Sequence, residues 1–272
     1  MKRFCLLVIS LLLTTVATYA NDGFDIFDNL ESGEEFDFYG FKGKSFENGG
    51  LKYKVVQPAE ANENRSWVIR ARFWGHQPQL DRRLLELGFH IAYCGVEDLF
   101  GSPKAVARWD SFYKIMRKAG LNKRVVLEGM SRGGLIVYNW AVKNPKKVSA
   151  IYADAPVLDI KSWPLGSDGY VKAQEAALKA YDMTLEEIME YRGNPLDNAA
   201  KIAKARLPII HVVGDADDVV PYSDNTARFA EILRENGAEI EVIVKSGVGH
   251  HPHSLEDPQR LVDFILMGES KK

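Results

Sequence analysis

The chain of 272 residues carries 35 basic and 37 acidic side chains, so its formal net charge of −2 is close to neutral. The charges are dispersed, without a basic patch or a basic amphipathic helix, which argues against a nucleic-acid partner or a protein of the membrane surface. About 250 residues follow a predicted targeting segment, enough for one large domain with a full hydrophobic core.

Residues 1–20 have the features of a secretory signal peptide. Lys2 and Arg3 precede an apolar run at residues 4–16, and a small-residue cleavage site ends at Ala20. The apolar run is short for a membrane span and no later run is long enough, although an uncleaved anchor is the alternative. The sequence therefore predicts cleavage after Ala20 and a periplasmic or secreted protein without a membrane span.

Cys94 is the only cysteine that remains after the predicted cleavage. An internal disulfide is therefore impossible in the mature chain. Because Cys94 ends a predicted strand, we expect a buried apolar residue instead of a reactive thiol.

Short apolar runs alternate with helical patterns along most of the mature chain. Residues 21–37 read as an extended arm, and residues 41–46 and 51–56 as a hairpin. Further strands are predicted at 66–72, 89–93, 125–127, 148–153, 207–213 and 240–244, and helices at 78–87, 102–119, 135–142, 223–236 and 258–267. This alternation predicts an α/β fold with a mostly parallel central sheet covered by helices on both faces.

Residues 156–206 interrupt the alternation. They contain helical runs at residues 170–180 and 184–191 and are too long for a simple crossover between strands. We interpret this segment as a helical cap inserted over the site, within a single domain that covers residues 21–272.

A G-x-S-x-G pentapeptide, Gly129-Met130-Ser131-Arg132-Gly133, lies between the strand at 125–127 and the helix at 135–142. A serine on such a tight strand-to-helix turn has a strained backbone and an exposed hydroxyl, and the glycines avoid crowding. The amide of Arg132, at the start of the helix, would stabilise an oxyanion. Ser131 is therefore the candidate nucleophile, and an ordinary Gly-Ser loop is the alternative.

Three aspartates follow the strand at 207–213, where the carboxyl end of a parallel strand meets the site. Asp217 is the candidate acid that orients a histidine. Asp215 is near enough to the strand to cap the turn, and Asp218 could cap the following helix. A solvated acidic turn or a calcium loop is the other interpretation.

Three histidines follow the last predicted strand, in the run Gly249-His250-His251-Pro252-His253. A base must accept the serine proton and present its other ring nitrogen to a carboxylate. His250 is the preferred candidate, with His251 and then His253 as alternatives. A metal site built from these histidines is also possible, but no cysteine or carboxylate lies at ligand spacing beside them, so no metal is expected.

The second oxyanion donor should come from the loop after the strand at 66–72. This points to the amide of Phe73 or Trp74. The side chains of Arg72 and His76 could reach the same pocket. Alternatively, Arg72 pairs with a surface carboxylate and His76 caps the helix at 78–87.

The chain order Ser131, Asp217, His250, together with the strand–turn–helix around the serine, resembles the α/β-hydrolase superfamily over nearly the whole mature chain. The resemblance implies hydrolysis without metal or cofactor and does not fix the substrate. One departure is that residues 72–76 replace the usual His-Gly oxyanion loop, which puts the identity of that donor in doubt.

The run at residues 249–255 is similar to that of exported bacterial esterases that deacylate or demethylate plant-type polysaccharide fragments. On this resemblance Trp74 and Trp163 could stack on sugar rings, although core packing is the alternative. Arg72 and Arg132 could pair with a uronate carboxylate. His76 and His251 are further candidates for substrate binding.

Together these features predict a serine carboxylic-ester hydrolase that forms an acyl-enzyme and removes acetyl or methyl esters from oligosaccharides. The expected partner is a small-molecule or oligosaccharide ester, with no nucleic acid. A peptidase or acyltransferase on the same fold, and a catalytically inactive binding module, are the alternatives.

Overall fold

A computed structural model describes residues 23–166 and 168–270 of the chain. The predicted signal peptide at residues 1–20 lies outside the described residues. Within the described part, none of the helices is both long and apolar enough to cross a membrane.

The described residues form one nine-stranded sheet. Its strands are β1 Glu34–Phe38, β2 Phe41–Asn48, β3 Leu51–Val56, β4 Trp67–Arg70, β5 His90–Cys94, β6 Val125–Met130, β7 Val148–Asp154, β8 Ile209–Gly214 and β9 Glu241–Lys245. Their order across the sheet is β1-β2-β3-β5-β4-β6-β7-β8-β9. β1, β2, β3 and β5 pair antiparallel, and the pairs from β5 through β4 to β9 are parallel.

Eight α-helices connect and cover these strands in the described part of the chain. They are α1 Gln79–Glu86, α2 Pro103–Lys118, α3 Gly133–Lys143, α4 Val171–Tyr181, α5 Leu185–Glu190, α6 Ala199–Ala205, α7 Arg228–Glu235 and α8 Gln259–Ser270. Three of them, α4 to α6, lie between β7 and β8, and α6 has no counterpart among the predicted helices.

The sheet is buried on both faces. Alternate residues of a strand point to opposite faces, so Val68 packs with α1 and α8 while its neighbour Ile69 packs with α2 and α3. Every residue of β4 to β8 is buried, as their continuous apolar runs predict. The predicted α/β fold with a mostly parallel central sheet is confirmed.

The region before the hairpin differs from the predicted extended arm. It forms a 3-10 helix, Ile26–Asn29, and then β1, which pairs with β2 at the edge of the sheet. The strand was not predicted because its sequence is acidic and partly exposed, as an edge strand need bury only part of its surface.

Cys94 is fully buried at the end of β5. Burial raises the pKa of its thiol to about 12, so the group stays protonated and unreactive. The expectation of a structural, apolar cysteine is confirmed.

The strand order reverses at β4, because the next two strands along the chain lie on opposite sides of it. β5 pairs with one edge of β4 and β6 with the opposite edge. Ligands of open α/β sheets bind where the strand order reverses in this way, beyond the carboxyl ends of the strands. The loop after β4 and the turn after β6 therefore meet at the preferred position for a site.

Candidate active site

Ser131 occupies the turn between β6 and α3. Its backbone is left-handed, with φ of +50°, and its amide donates a hydrogen bond of 2.8 Å to the carbonyl of Asp154. Its own carbonyl accepts from the amide of Gly134 at 2.9 Å. A Cβ on Gly129 would lie 2.8 Å from Cγ2 of Val137, so only glycine allows α3 to approach β6 this closely.

His250, on the loop after β9, contacts both Ser131 and Asp217. Its Nε2 lies 3.0 Å from Oγ of Ser131, and its Nδ1 lies 2.7 Å from Oδ2 of Asp217. With an ionised carboxylate, Nδ1 carries the hydrogen and Nε2 accepts from the serine hydroxyl. The arrangement can therefore move a proton away from Ser131 while it stabilises the resulting imidazolium.

Asp217 follows β8 and is held in place by its second oxygen. Oδ1 accepts from the amides of Val219 at 2.9 Å and Val220 at 2.8 Å. Burial raises the pKa of Asp217, but the hydrogen bonds from His250 and Val220 outweigh burial and bring this pKa below its ordinary value. The carboxylate is thus ionised and fixed toward the imidazole.

The other two aspartates of this loop are placed differently. Oδ1 of Asp215 accepts from the amide of Gly247 at 2.6 Å, so Asp215 ties its turn to the loop that carries the histidines. Asp218 is exposed. The structure therefore brings Asp217, and neither of its neighbours, to the imidazole.

The loop after β4 lies beside the start of α3. A Cβ on Gly133 would be 3.3 Å from Cβ of Ala71 and 3.7 Å from Cβ of Arg72. None of the hydrogen bonds among the described residues uses the amide of Phe73, Trp74 or Arg132 as donor. These amides thus have no acceptor among the residues that the structure describes.

A buried ionic network fixes this loop. Arg70, at the end of β4, donates to Asp81, to the carbonyl of His76, and to Glu128 at 2.9 Å. All three side chains in the network are about 1% exposed or less. Sequence reasoning missed this network, although a charged residue ending each of two apolar strand runs, at positions 70 and 128, is a usable signal.

A second histidine–aspartate pair lies beside the first. Nδ1 of His253 is 2.6 Å from Oδ1 of Asp154, whose other oxygen accepts from the hydroxyl of Tyr152 and the amide of Ser254. The ring of His253 is 4.8 Å from that of His250 between centroids. Sequence reasoning missed this pair, because the two residues lie 99 positions apart.

His76 and His251 are exposed at the rim of the same cluster. Their ring centroids are 6.3 Å apart, and His76 is 5.9 Å from His253. Burial, together with the charge of His253, lowers the pKa of both. The predicted capping alternative for His76 is wrong, because α1 has no side-chain cap.

Arg72 and Arg132 converge on Asp98. Their Nη1 atoms lie 4.0 and 3.9 Å from Oδ1 of Asp98, whose side chain is 82% exposed. The alternative prediction, in which Arg72 pairs with a surface carboxylate, therefore describes the observed contact. At these distances the ion pairs are weak, so another carboxylate could displace Asp98.

The two tryptophans pack within the protein. Trp74 contacts Phe38, with ring centroids 5.1 Å apart. Trp163 is only 7% exposed and stacks on Phe100, and the guanidinium of Arg132 lies over its ring at 5.6 Å. The packing alternative accounts for most of their surface, and sugar stacking by either ring stays a prediction.

Comparison with known proteins identifies a family for this chain. Residues 113–266, more than half of the chain, match the prolyl oligopeptidase family. Comparison with curated proteins finds no significant match.

Among solved structures, a puromycin-hydrolyzing peptidase of Mycobacterium tuberculosis matches with 16% identity and a TM-score of 0.62, covering 82% of this chain and 38% of that one. The acylaminoacyl peptidase of Pyrococcus horikoshii matches with 15% identity and a TM-score of 0.60, covering 90% and 42%. An S-formylglutathione hydrolase from Agrobacterium tumefaciens matches with 15% identity and a TM-score of 0.59, covering 80% and 91%.

The chain thus spans about two fifths of the length of the two similar peptidases and most of the length of the similar S-formylglutathione hydrolase. At these identities the likeness concerns the fold, which all three share. With more than half of its length matched by the family model, the chain belongs to the prolyl oligopeptidase family, and it is a serine hydrolase of the α/β-hydrolase superfamily.

Proposed function

We propose that this protein is an exported serine carboxylic-ester hydrolase that removes acetyl or methyl esters from oligosaccharides containing uronic acids. The observation that carries the proposal is the continuous hydrogen-bonded chain from Ser131 through His250 to Asp217. The expected signal peptide supports action outside the cytoplasm.

In the first half of the reaction, Oγ of Ser131 attacks the ester carbonyl while Nε2 of His250 accepts its proton. Asp217 stabilises the imidazolium through the contact with Nδ1. His250 then protonates the leaving alcohol, which leaves an acyl-enzyme on Ser131. In the second half, water attacks the acyl group with His250 again as the base.

The amide of Arg132 and that of Phe73 or Trp74 are the proposed oxyanion donors. Their lack of other acceptors among the described residues supports this role, since a donor already engaged would have to be freed first. Loss of one such donor costs about 3 kcal/mol of transition-state stabilisation in comparable sites.

A basic surface groove next to the oxyanion loop supports an acidic glycan as substrate. It has a volume of about 630 Å³, and its charged lining is entirely cationic: Lys52, Lys54, Arg72 and Arg108. Trp74 and Tyr93 also line it and would offer ring surface to a sugar. Cations with aromatic rings suit an oligosaccharide that carries carboxylates.

A panel of substrates tests the proposal. Acetylated and methyl-esterified uronic oligosaccharides are incubated with the protein, and released acetate and methanol are measured, with the Ser131→Ala variant as control. We expect release that depends on Ser131. Turnover of short aryl esters without any turnover of esterified sugars would refute the carbohydrate assignment.

Opposite changes at one ion pair test the role of charge. Arg72→Gln should raise KM for oligosaccharides with exposed carboxylates, because it removes a cation from the groove. Asp98→Asn should lower the same KM, because it removes the competing carboxylate. Neutral acetylated sugars provide the control, and equal effects on both substrate types would exclude carboxylate recognition.

A peptidase is the second candidate, favoured by the family match and by the similar peptidase structures. The chemistry at Ser131 would be the same, with an amine as the leaving group. Peptide anilides and aminoacyl esters distinguish the candidates. Cleavage of anilides at a kcat/KM above that of sugar esters would favour the peptidase.

A further inference from the structure

Three histidines on the loop after β9 bring their ring nitrogens close together. One nitrogen each from His250, His251 and His253 lies within 4.8 Å of the other two. Zinc is bound by imidazole nitrogens at about 2.0–2.1 Å, in a tetrahedral arrangement. Ligand atoms of one tetrahedral ion are about 3.4 Å apart, so the three side chains would have to move closer together to bind it.

Two of these histidines already have the orientation that metal ligands need. His250 and His253 each direct Nδ1 at a carboxylate, Asp217 and Asp154 respectively, at 2.7 and 2.6 Å. A histidine that binds a metal commonly donates its other ring hydrogen to such a carboxylate, which fixes the ring and raises its basicity. In both residues Nε2 is then the atom that can bind a cation.

The third histidine provides access from solvent. His251 is exposed, and its ring centroid lies 5.1 Å from that of His250 and 4.8 Å from that of His253. Oγ of Ser131 lies 3.0 Å from Nε2 of His250, so an ion bound to this nitrogen would displace the serine hydroxyl from it.

We infer that His250, His251 and His253 form a binding site for a divalent transition-metal cation of the zinc type, and that the bound ion inhibits the enzyme reversibly. Imidazole ligands suit zinc and copper better than magnesium or calcium. An ion on Nε2 of His250 occupies the lone pair that must accept the proton of Ser131. The cation is an inhibitor and not a cofactor, since the proposed reaction needs none.

Binding is measured first, by calorimetric titration of the wild-type protein with zinc alone. We expect one zinc ion per chain and no binding of magnesium or calcium. His251→Gln should weaken zinc binding at least about ten-fold, as loss of a ligand or of its immediate support does elsewhere. Because His251 is exposed, this variant should keep the fold.

His76→Gln is the matched control, since His76 is also exposed and borders the same cluster but lies outside the group of three. Its zinc affinity should stay within about two-fold of wild type. No zinc binding by the wild type, or equal affinity in His251→Gln and wild type, would overturn the inference.

Inhibition is measured second and rests on the proposed function. Zinc should slow both ester turnover and fluorophosphonate labelling of Ser131, a chelator should reverse this, and the inhibition constant should rise in His251→Gln. Each variant is compared with its own zinc-independent rate. A protein that binds one zinc ion but keeps its full rate would contradict ligation by His250.

The two measurements test the two proposals independently. Absence of ester turnover without zinc would refute the proposed function, while the calorimetric result would still decide whether the histidine site exists. Normal turnover that zinc does not affect would leave the proposed hydrolase intact and contradict inhibition through His250.

Discussion

The two histidine–aspartate pairs of this protein are nearly identical locally but differ in what their outer nitrogen meets. His250 with Asp217 and His253 with Asp154 both join Nδ1 to a carboxylate, at 2.7 and 2.6 Å. Only Nε2 of His250 lies within hydrogen-bond distance of the serine hydroxyl. A buried carboxylate beside an imidazole is therefore insufficient to identify a catalytic base. The distance from Nε2 of the histidine to the serine hydroxyl distinguishes the base from the second histidine.

The largest expected effect on kcat comes from replacing His250 or Ser131. His250→Ala and Ser131→Ala should each lower kcat by about a million-fold, because each removes a member of a unit that acts as a whole. Stopped assays of ester hydrolysis with purified variants measure this, and circular dichroism verifies the fold. A His250→Ala variant with near wild-type kcat would transfer the role of base to another histidine.

Loss of the Asp217 carboxylate should lower kcat less than loss of His250 or Ser131. Asp217→Asn should lower kcat by about ten-thousand-fold, since the amide favours the wrong tautomer of His250 while the oxyanion donors persist. The same substitution at Asp215, which binds the amide of Gly247 instead, is the matched control. A greater loss in Asp215→Asn than in Asp217→Asn would show that the acid has been assigned to the wrong residue.

His253 should affect the rate only through the position of its loop. His253→Gln should lower kcat by at most about a hundred-fold, the scale expected when reacting groups are displaced by about 1 Å. The pH dependence of kcat/KM should keep its wild-type shape, because the base is unchanged. A lost or shifted acidic limb in this variant would make His253 part of the proton transfer.

The smallest expected effect concerns two buried histidines that lie outside the candidate active site. His211 contacts the hydroxyls of Tyr138 and Thr226, and burial lowers its pKa to about 3. Burial likewise lowers the pKa of His90 to about 4. Between pH 6.5 and about 4 the unfolded chain binds protons on both side chains and the folded chain does not, so the free energy of unfolding should decrease as the pH falls.

The expected slope is up to about 1.4 kcal/mol per pH unit for each of the two. Denaturant unfolding across this pH range measures it. His90→Leu removes one titrating group, and its slope should be lower by about that amount. Identical slopes in the variant and the wild type would mean that His90 is protonated in the folded protein.

Sequence reasoning performed best where local patterns determine the outcome. The continuous apolar runs of the parallel strands and the pentapeptide around Ser131 are properties of adjacent residues, and the structure agrees with both. The order Ser131, Asp217, His250 was also readable, because each residue follows a strand of the parallel part of the sheet and the ends of these strands lie at the same edge.

What the sequence did not provide depends on contacts between distant residues. The partner of His253 lies 99 positions away in Asp154, and that of Arg70 lies 58 positions away in Glu128. No spacing rule connects such residues until the sheet order is known. β1 was also missed, because the alternation of Glu35-Phe36-Asp37-Phe38 covers only four residues of an acidic, partly exposed edge strand.

Asp154 has a consequence for altering this protein by mutation. Its main-chain oxygen accepts from the amide of Ser131, and its carboxylate holds residues 253 and 254. Asp154 thus binds both the turn that carries Ser131 and the loop that carries the histidines, and so fixes their relative position. Efforts to change substrate preference should leave this position intact and vary peripheral residues such as Asp98, where an exchange would leave that alignment undisturbed.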